Sequence, residues 1–102
     1  KYDAGRYQEA ITDFNEVLKI KSDYTYALNN RGISKYKIKD YQGAMADYNE
    51  AVRINPDYEY AYLNRGIVKE MLRDEKGACA DWKKAFELGA ASAEAYIKSQ
   101  CK

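Results

Sequence analysis

Arg31 and Arg65 recur at an interval of 34 residues, and Asp13, Asp47 and Asp81 recur at the same interval. A guanidinium presents a planar fork of donors that a carboxylate can accept two at a time. Each arginine can therefore meet an aspartate, in its own segment or in the one before it, or can hold an anionic ligand instead. A charge that recurs in every segment is more often architecture than a site, so the pairing is the expected role. Such a bridge would fix the register of neighbouring segments, with a small net contribution to stability.

Groups suited to catalysis are scarce. The chain has no histidine, no glycine-rich phosphate loop, no context that would activate a serine and no set of ligands at metal spacing. The acid pairs Glu9/Asp13 and Glu70/Asp74 lie at helical spacing among lysines and read as solvated faces. Neither an enzyme nor a cofactor or metal is expected. Cys79 occupies the column of Ile11 and Met45, which suits a small buried hydrophobe, and Cys101 falls in the column of Ile33 and Ile67. These columns lie on different helices in this reading, so a Cys79–Cys101 bridge is not expected and the compartment stays open.

With 102 residues, 46% of them hydrophobic and 32% charged, the chain can bury the core of one domain. It has no apolar run long enough to span a membrane. Basic and acidic residues number 17 and 16 and are interspersed, giving a net charge of +1 without the basic stripe that a nucleic-acid backbone demands. No nucleic-acid or membrane partner is expected.

The elements that position these groups follow from internal repetition. Residues 23–56 align with 57–90 without a gap, sharing Asp, Tyr, Ala, Asn-Arg-Gly-Ile, Gly-Ala and Ala-Asp in place. Residues 1–22 match the second half of the same unit, and 91–102 match the start of another before the pattern stops. Lys1 aligns with Lys35 and Lys69, so the chain is expected to begin partway through a unit, with more of it upstream. A period of this length builds a solenoid, and solenoids mostly bind partners along an extended face.

Each unit reads as two helices. Ala27, Leu28 and Gly32 share one face of the first half, while Tyr41, Ala44, Met45, Tyr48, Ala51, Val52 and Ile54 form an apolar stripe in the second. Asp23 and Asp57 are expected to cap the first helices, and Asp40 and Asp74 the second. Pro56 and Gly89 end units, and the short connections force neighbouring helices antiparallel. Gly32 and Gly66 sit mid-helix at a cost of about 1 kcal/mol each. Close packing on Ala44 and Ala78, with Tyr48 or Trp82 covering the joint, is expected to compensate.

These columns resemble the tetratricopeptide repeat: a large apolar residue (Leu28, Tyr62), Gly (Gly32, Gly66), Tyr41, Ala (Ala44, Ala78), an aromatic (Phe14, Tyr48, Trp82), Ala (Ala51, Ala85) and Pro56. Departures are local. Arg6 stands at a capping position, Glu75 replaces a turn tyrosine, Ala90 replaces the proline, and Lys35 and Lys69 stand where an aromatic is common. The resemblance implies an all-α fold, a right-handed α-solenoid of stacked antiparallel helix pairs. Its expected parts are a trailing helix at about 7–21 within a partial repeat at 1–22, full repeats at 23–56 and 57–90, and a capping helix in 91–102.

It also implies a protein–protein interaction module whose first helices line a concave groove for an extended peptide of unknown identity. The groove would carry Tyr26, Asn29, Asn30, Ile33, Tyr36 and Lys37 from one unit and Tyr60, Leu63, Asn64, Ile67, Glu70 and Met71 from the next. Ile33 and Ile67 could equally pack between neighbouring first helices. The carboxylate clamp of chaperone-binding members needs a lysine where Asn29 and Leu63 stand and an asparagine where Ile33 stands, so an acidic chaperone tail is disfavoured. The alternative is a spacer, or a segment that self-associates through its N-terminal edge, as a homo-oligomer.

Overall fold

The computed structural model describes residues 4–101. Among them run six helices and no strand: α1 (Ala4–Ile20), α2 (Thr25–Lys37), α3 (Tyr41–Ile54), α4 (Glu59–Met71), α5 (Glu75–Glu87) and α6 (Ala93–Gln100). Each helix packs on the next in sequence, and α2 also touches α4 across α3, so the array is 40 × 30 × 20 Å in extent. This is an all-α solenoid of antiparallel helix pairs. No helix among the described residues is long and apolar enough to cross a membrane.

The second helix of each unit starts where the sequence places it. Asp40 and Asp74 are the N-caps of α3 and α5, and their carboxylates accept from the amides of Gly43 and Gly77 at 3.0 Å in both cases. The first helices start differently. Tyr24 and Tyr58, not Asp23 and Asp57, are the N-caps of α2 and α4, with no side-chain cap bond. The turn before each helix consumes one more residue than expected, leaving the aspartates outside; Asp23 pairs instead with Lys21 at 3.4 Å.

Helix α1 begins at Ala4, before the expected start near residue 7, and runs through Arg6 without a break. The other two units do break there. Lys39 and Arg73 both take φ 69°, a left-handed turn between the two helices of a unit, as Gly89 does at φ 111° after α5. A side chain in that region costs roughly 1–2 kcal/mol. The bond from the Asp40 amide to the Lys35 carbonyl at 2.8 Å, repeated from Asp74 to Lys69, closes each helix end and offsets it.

Small residues bring the helices together, and large rings fill what remains. Ala44, Tyr48 and Val68 are buried with Ile33, Tyr36, Tyr41 and Met45 packed on them. Ala78, Trp82, Ala85, Ala90 and Ala93 form the corresponding C-terminal cluster, and Leu18, Ala27, Leu28, Ala51 and Ala61 the one toward the N-terminus. The aromatic rings are the nearest neighbours of both glycines. A Cβ on Gly32 would lie 2.6 Å from Cε1 of Tyr48, and one on Gly66 would lie 2.6 Å from Nε1 of Trp82. At Gly32 it is the ring that occupies the space a side chain would take, whereas at Gly66 the ring shares it with the Ala78 backbone carbonyl, 3.1 Å away, the close approach expected there.

The cysteines overturn the sequence expectation. Cys79 and Cys101 form a disulfide, their Cα atoms 5.7 Å apart. Lying on different helices does not separate them, because α5 and α6 are antiparallel neighbours and Cys101 caps the end of α6 beside Cys79. The bridge pins the last helix, and Tyr96 of that helix stacks on Trp82 with ring centroids 5.0 Å apart.

Candidate functional site

The arginines are tied to aspartates of their own units and to asparagines of the preceding ones. Arg31 donates to both carboxylate oxygens of Asp47, Nε at 2.9 Å and Nη2 at 2.7 Å, and Arg65 repeats this on Asp81 at 2.8 Å for both bonds. Lys35 and Lys69 add a second cation to each aspartate, at 3.3 and 3.1 Å. The remaining nitrogen of each fork reaches back one unit, from Arg31 to Asn15 at 2.8 Å and from Arg65 to Asn49 at 3.0 Å. Hydrogen bonding to the buried aspartates holds both guanidinium groups above their already high ordinary value, so they stay charged. The asparagine contacts were missed by sequence reasoning, although Asn15 and Asn49 share a column and could have been sought there.

The predicted groove residues divide. Ile33, Tyr36 and Lys37 of α2 and Asn64 and Ile67 of α4 come together around a cavity of about 150 Å³ whose remaining wall is the Tyr48 ring. Sequence reasoning gave Tyr48 to packing alone. Gly32 was the available signal, since the room it leaves lets that ring reach the cavity. Burial, then the neighbouring phenols of Tyr41 and Tyr96 and the Glu70 carboxylate, raise the Tyr36 phenol above its usual value, so it remains a neutral donor.

Asn29 is not exposed in the groove. It is 4% accessible, and its Oδ1 accepts from Nδ2 of Asn64 at 3.0 Å. That bond orients the Asn64 amide, leaving its carbonyl and second N–H for a ligand. Leu63 also withdraws, packing against the Trp82 cluster while its backbone carbonyl accepts from the indole N–H at 3.3 Å. Ile33 packs on the Ala44–Tyr48–Val68 cluster and Ile67 on the Trp82 cluster, and both line the cavity.

Tyr26 and Asn30 face a second, wider cavity of about 510 Å³, shared with Tyr7, Ala10 and Phe14 of α1. Tyr60 and Met71 are about half exposed and line neither cavity. Glu70 borders a narrow crevice toward α5 and α6 with Glu75 and Gln100. A further cavity of about 490 Å³ lies over the disulfide, lined by Glu75, Lys76, Lys83 and Gln100 but by none of the predicted residues. No group of acidic or cysteine side chains among the described residues could hold a metal ion.

Comparison with known proteins agrees with the fold. A family model described as TPR repeat matches residues 1–39 and again 34–72. The first TPR domain of the human RPAP3 protein is 26% identical, with a TM-score of 0.87 over 92% of this chain and 76% of that one. The first TPR of Spaghetti (RPAP3), solved with the HSP90 peptide SRMEEVD, gives the same figures. The Arabidopsis OM64 TPR domain is 26% identical, with a TM-score of 0.84 over 92% of this chain and 82% of its own. No curated protein matches the chain in sequence.

Proposed function

This chain belongs to the tetratricopeptide repeat family, and from that premise we propose that residues 1–102 act as one interaction module that holds an extended peptide along α2 and α4. The observation that carries the reading is the cavity between Ile33 and Ile67. At about 150 Å³ it is too small for a drug-sized ligand, which needs roughly 300 Å³ or more. It suits a single apolar or aromatic side chain projecting from a peptide. Asn64, oriented by Asn29, offers that peptide's backbone an acceptor and a donor beside it.

The peptide solved with Spaghetti supports a peptide in this groove, but the chemistry of this chain favours a different one. Asn29 and Leu63, in the columns where a clamp needs cations, are turned into the packing. Among the described residues, Lys37 is the one cation lining the smaller cavity. Its ligand is therefore apolar or aromatic at the anchoring position rather than an acidic tail.

Selection of a random peptide library on the folded chain tests this directly. Recovered peptides should share one large apolar residue, bind at least about tenfold more weakly to Asn64→Ala or Tyr36→Ala, and outcompete SRMEEVD. Failure to recover any saturable peptide, or binding indifferent to both substitutions, would leave a spacer as the better account.

A further inference from the structure

The cavity over the disulfide shares no lining residue with the smaller cavity of the peptide groove. At about 490 Å³ it lies within the range that small molecules occupy. Cys79 from α5 and Cys101 from the end of α6 both line its wall, and each is partly exposed. A disulfide in the wall of an open cavity is within reach of a thiolate, and access is one condition for thiol–disulfide exchange.

The charges around it are arranged about one of the two sulfurs. Lys76 and Lys83 stand three residues before and four residues after Cys79, so helical spacing puts both ammonium groups on the face of α5 that carries its sulfur. Both line the cavity and both are exposed. The nearby acids Asp81 and Glu94 are engaged elsewhere, with Arg65 and Lys69 and with Lys98. Glu75, in the first turn of α5, adds one anion to the same wall, and Gln100 of α6 adds an amide. Two cations, an anion and an amide around a disulfide complement a short peptide thiol: its carboxylates meet the lysines, its ammonium group meets Glu75, and its peptide group meets Gln100.

We propose that this cavity is a modification site, at which a small peptide thiol bearing carboxylates and an ammonium group opens the disulfide and stays bonded to Cys101. The incoming thiolate attacks Sγ of Cys101, and its electron pair forms the new S–S bond. The Cys79–Cys101 bond breaks with its pair going to Sγ of Cys79, which leaves as a thiolate. One disulfide is exchanged for another, so no further oxidant or reductant enters. The lysines decide which sulfur departs. Cations beside a leaving sulfur stabilise its charge and speed its departure, and Lys76 and Lys83 flank Cys79. Lys98, on the helix that ends at Cys101, pairs with Glu94 and does not line the cavity. Opening the bridge also unties α6, whose Tyr96 stacks on Trp82.

Glutathione is the probe, with 2-mercaptoethanol as the neutral control and cysteamine as the cationic one. Each rate is divided by that of the same thiolate with 2-hydroxyethyl disulfide, and acid quenching, alkylation and mass spectrometry identify the sulfur released. Glutathione should open the bridge about tenfold faster than 2-mercaptoethanol, with cysteamine the slowest. The adduct should sit on Cys101 and the alkyl group on Cys79. Joint Lys76→Gln and Lys83→Gln substitution should bring the three rates within about twofold of one another, as should 1 M salt on the unaltered chain, where charges are screened beyond about 3 Å. Equal rates on the unaltered chain overturn the proposal. So does a glutathione preference that survives the double substitution or the salt, or an adduct found on Cys79. A bridge that none of the three thiols opens would be a structural tie alone and would overturn it as well.

Discussion

Trp82 is inaccessible to solvent, seated on Gly66, stacked by Tyr96 and flanked by a disulfide, whereas Phe14, in the same column at the other end, is partly exposed above a wide cavity. Both ends use the same second-helix scaffold, with Ala10 and Ala78 and with Asp13 and Asp81 in equivalent places. The difference lies in what covers that scaffold. At the C-terminal end α4 lies on one side of Trp82 and the short α6 on the other, so its ring and the Asp81 carboxylate are both withdrawn from water. Equal sequence columns therefore carry unequal energies, because burial is a property of the neighbour as much as of the residue.

Truncating the two rings probes this contrast most strongly. Trp82→Ala should cost about 4 kcal/mol in urea unfolding, as expected for a fully buried aromatic, and Phe14→Ala about 1–2 kcal/mol. Equal losses would mean that the ends are equally covered. The aspartates give the next largest difference. Asp81→Asn leaves Arg65 and Lys69 facing an uncharged group and should cost about 3 kcal/mol, the lower end for breaking a buried pair because both cations keep some solvent contact. Asp13→Asn, at the exposed end, should change stability by less than about 0.5 kcal/mol.

The disulfide should rank below Trp82 and Asp81 and above the exposed-end residues Phe14 and Asp13. Its closed loop, with a sequence separation of 22, should give about 2–3 kcal/mol that reduction removes. Because Tyr96 on the tethered helix stacks on the chain's one tryptophan, reduction should also change the tryptophan fluorescence. A Cys79→Ser, Cys101→Ser variant with unaltered stability and fluorescence would show that packing alone seals this end.

The period made the array legible from sequence, since alanines at 44, 51, 61, 78 and 85 are all buried as repeated columns demand. The Arg–Asp pairing and the caps at Asp40 and Asp74 were legible for the same reason: each is a local relation repeated in register. Relations between units were harder to read. Asn29 looked available because helical periodicity places it on the groove stripe, but only the approach of α4 buries it under Asn64. The disulfide was hidden because column reasoning treats each helix alone, while bond formation depends on which helices become neighbours. Asp23 and Asp57 failed as caps through a shift of one residue, the margin within which helix starts are commonly uncertain.

The polar ties have a fixed reach. Arg31 bonds to residues 16 before and 16 after itself, and Arg65 does likewise. Each arginine therefore ties its own unit through the aspartate and the preceding unit through the asparagine, skipping none, so the chain should fold quickly from short-range contacts. Opening should also have a direction. A front entering at α1 releases the Arg31–Asn15 bond first and meets the doubly paired Asp47 next, so amide protection should climb in steps from the first helix toward the tryptophan.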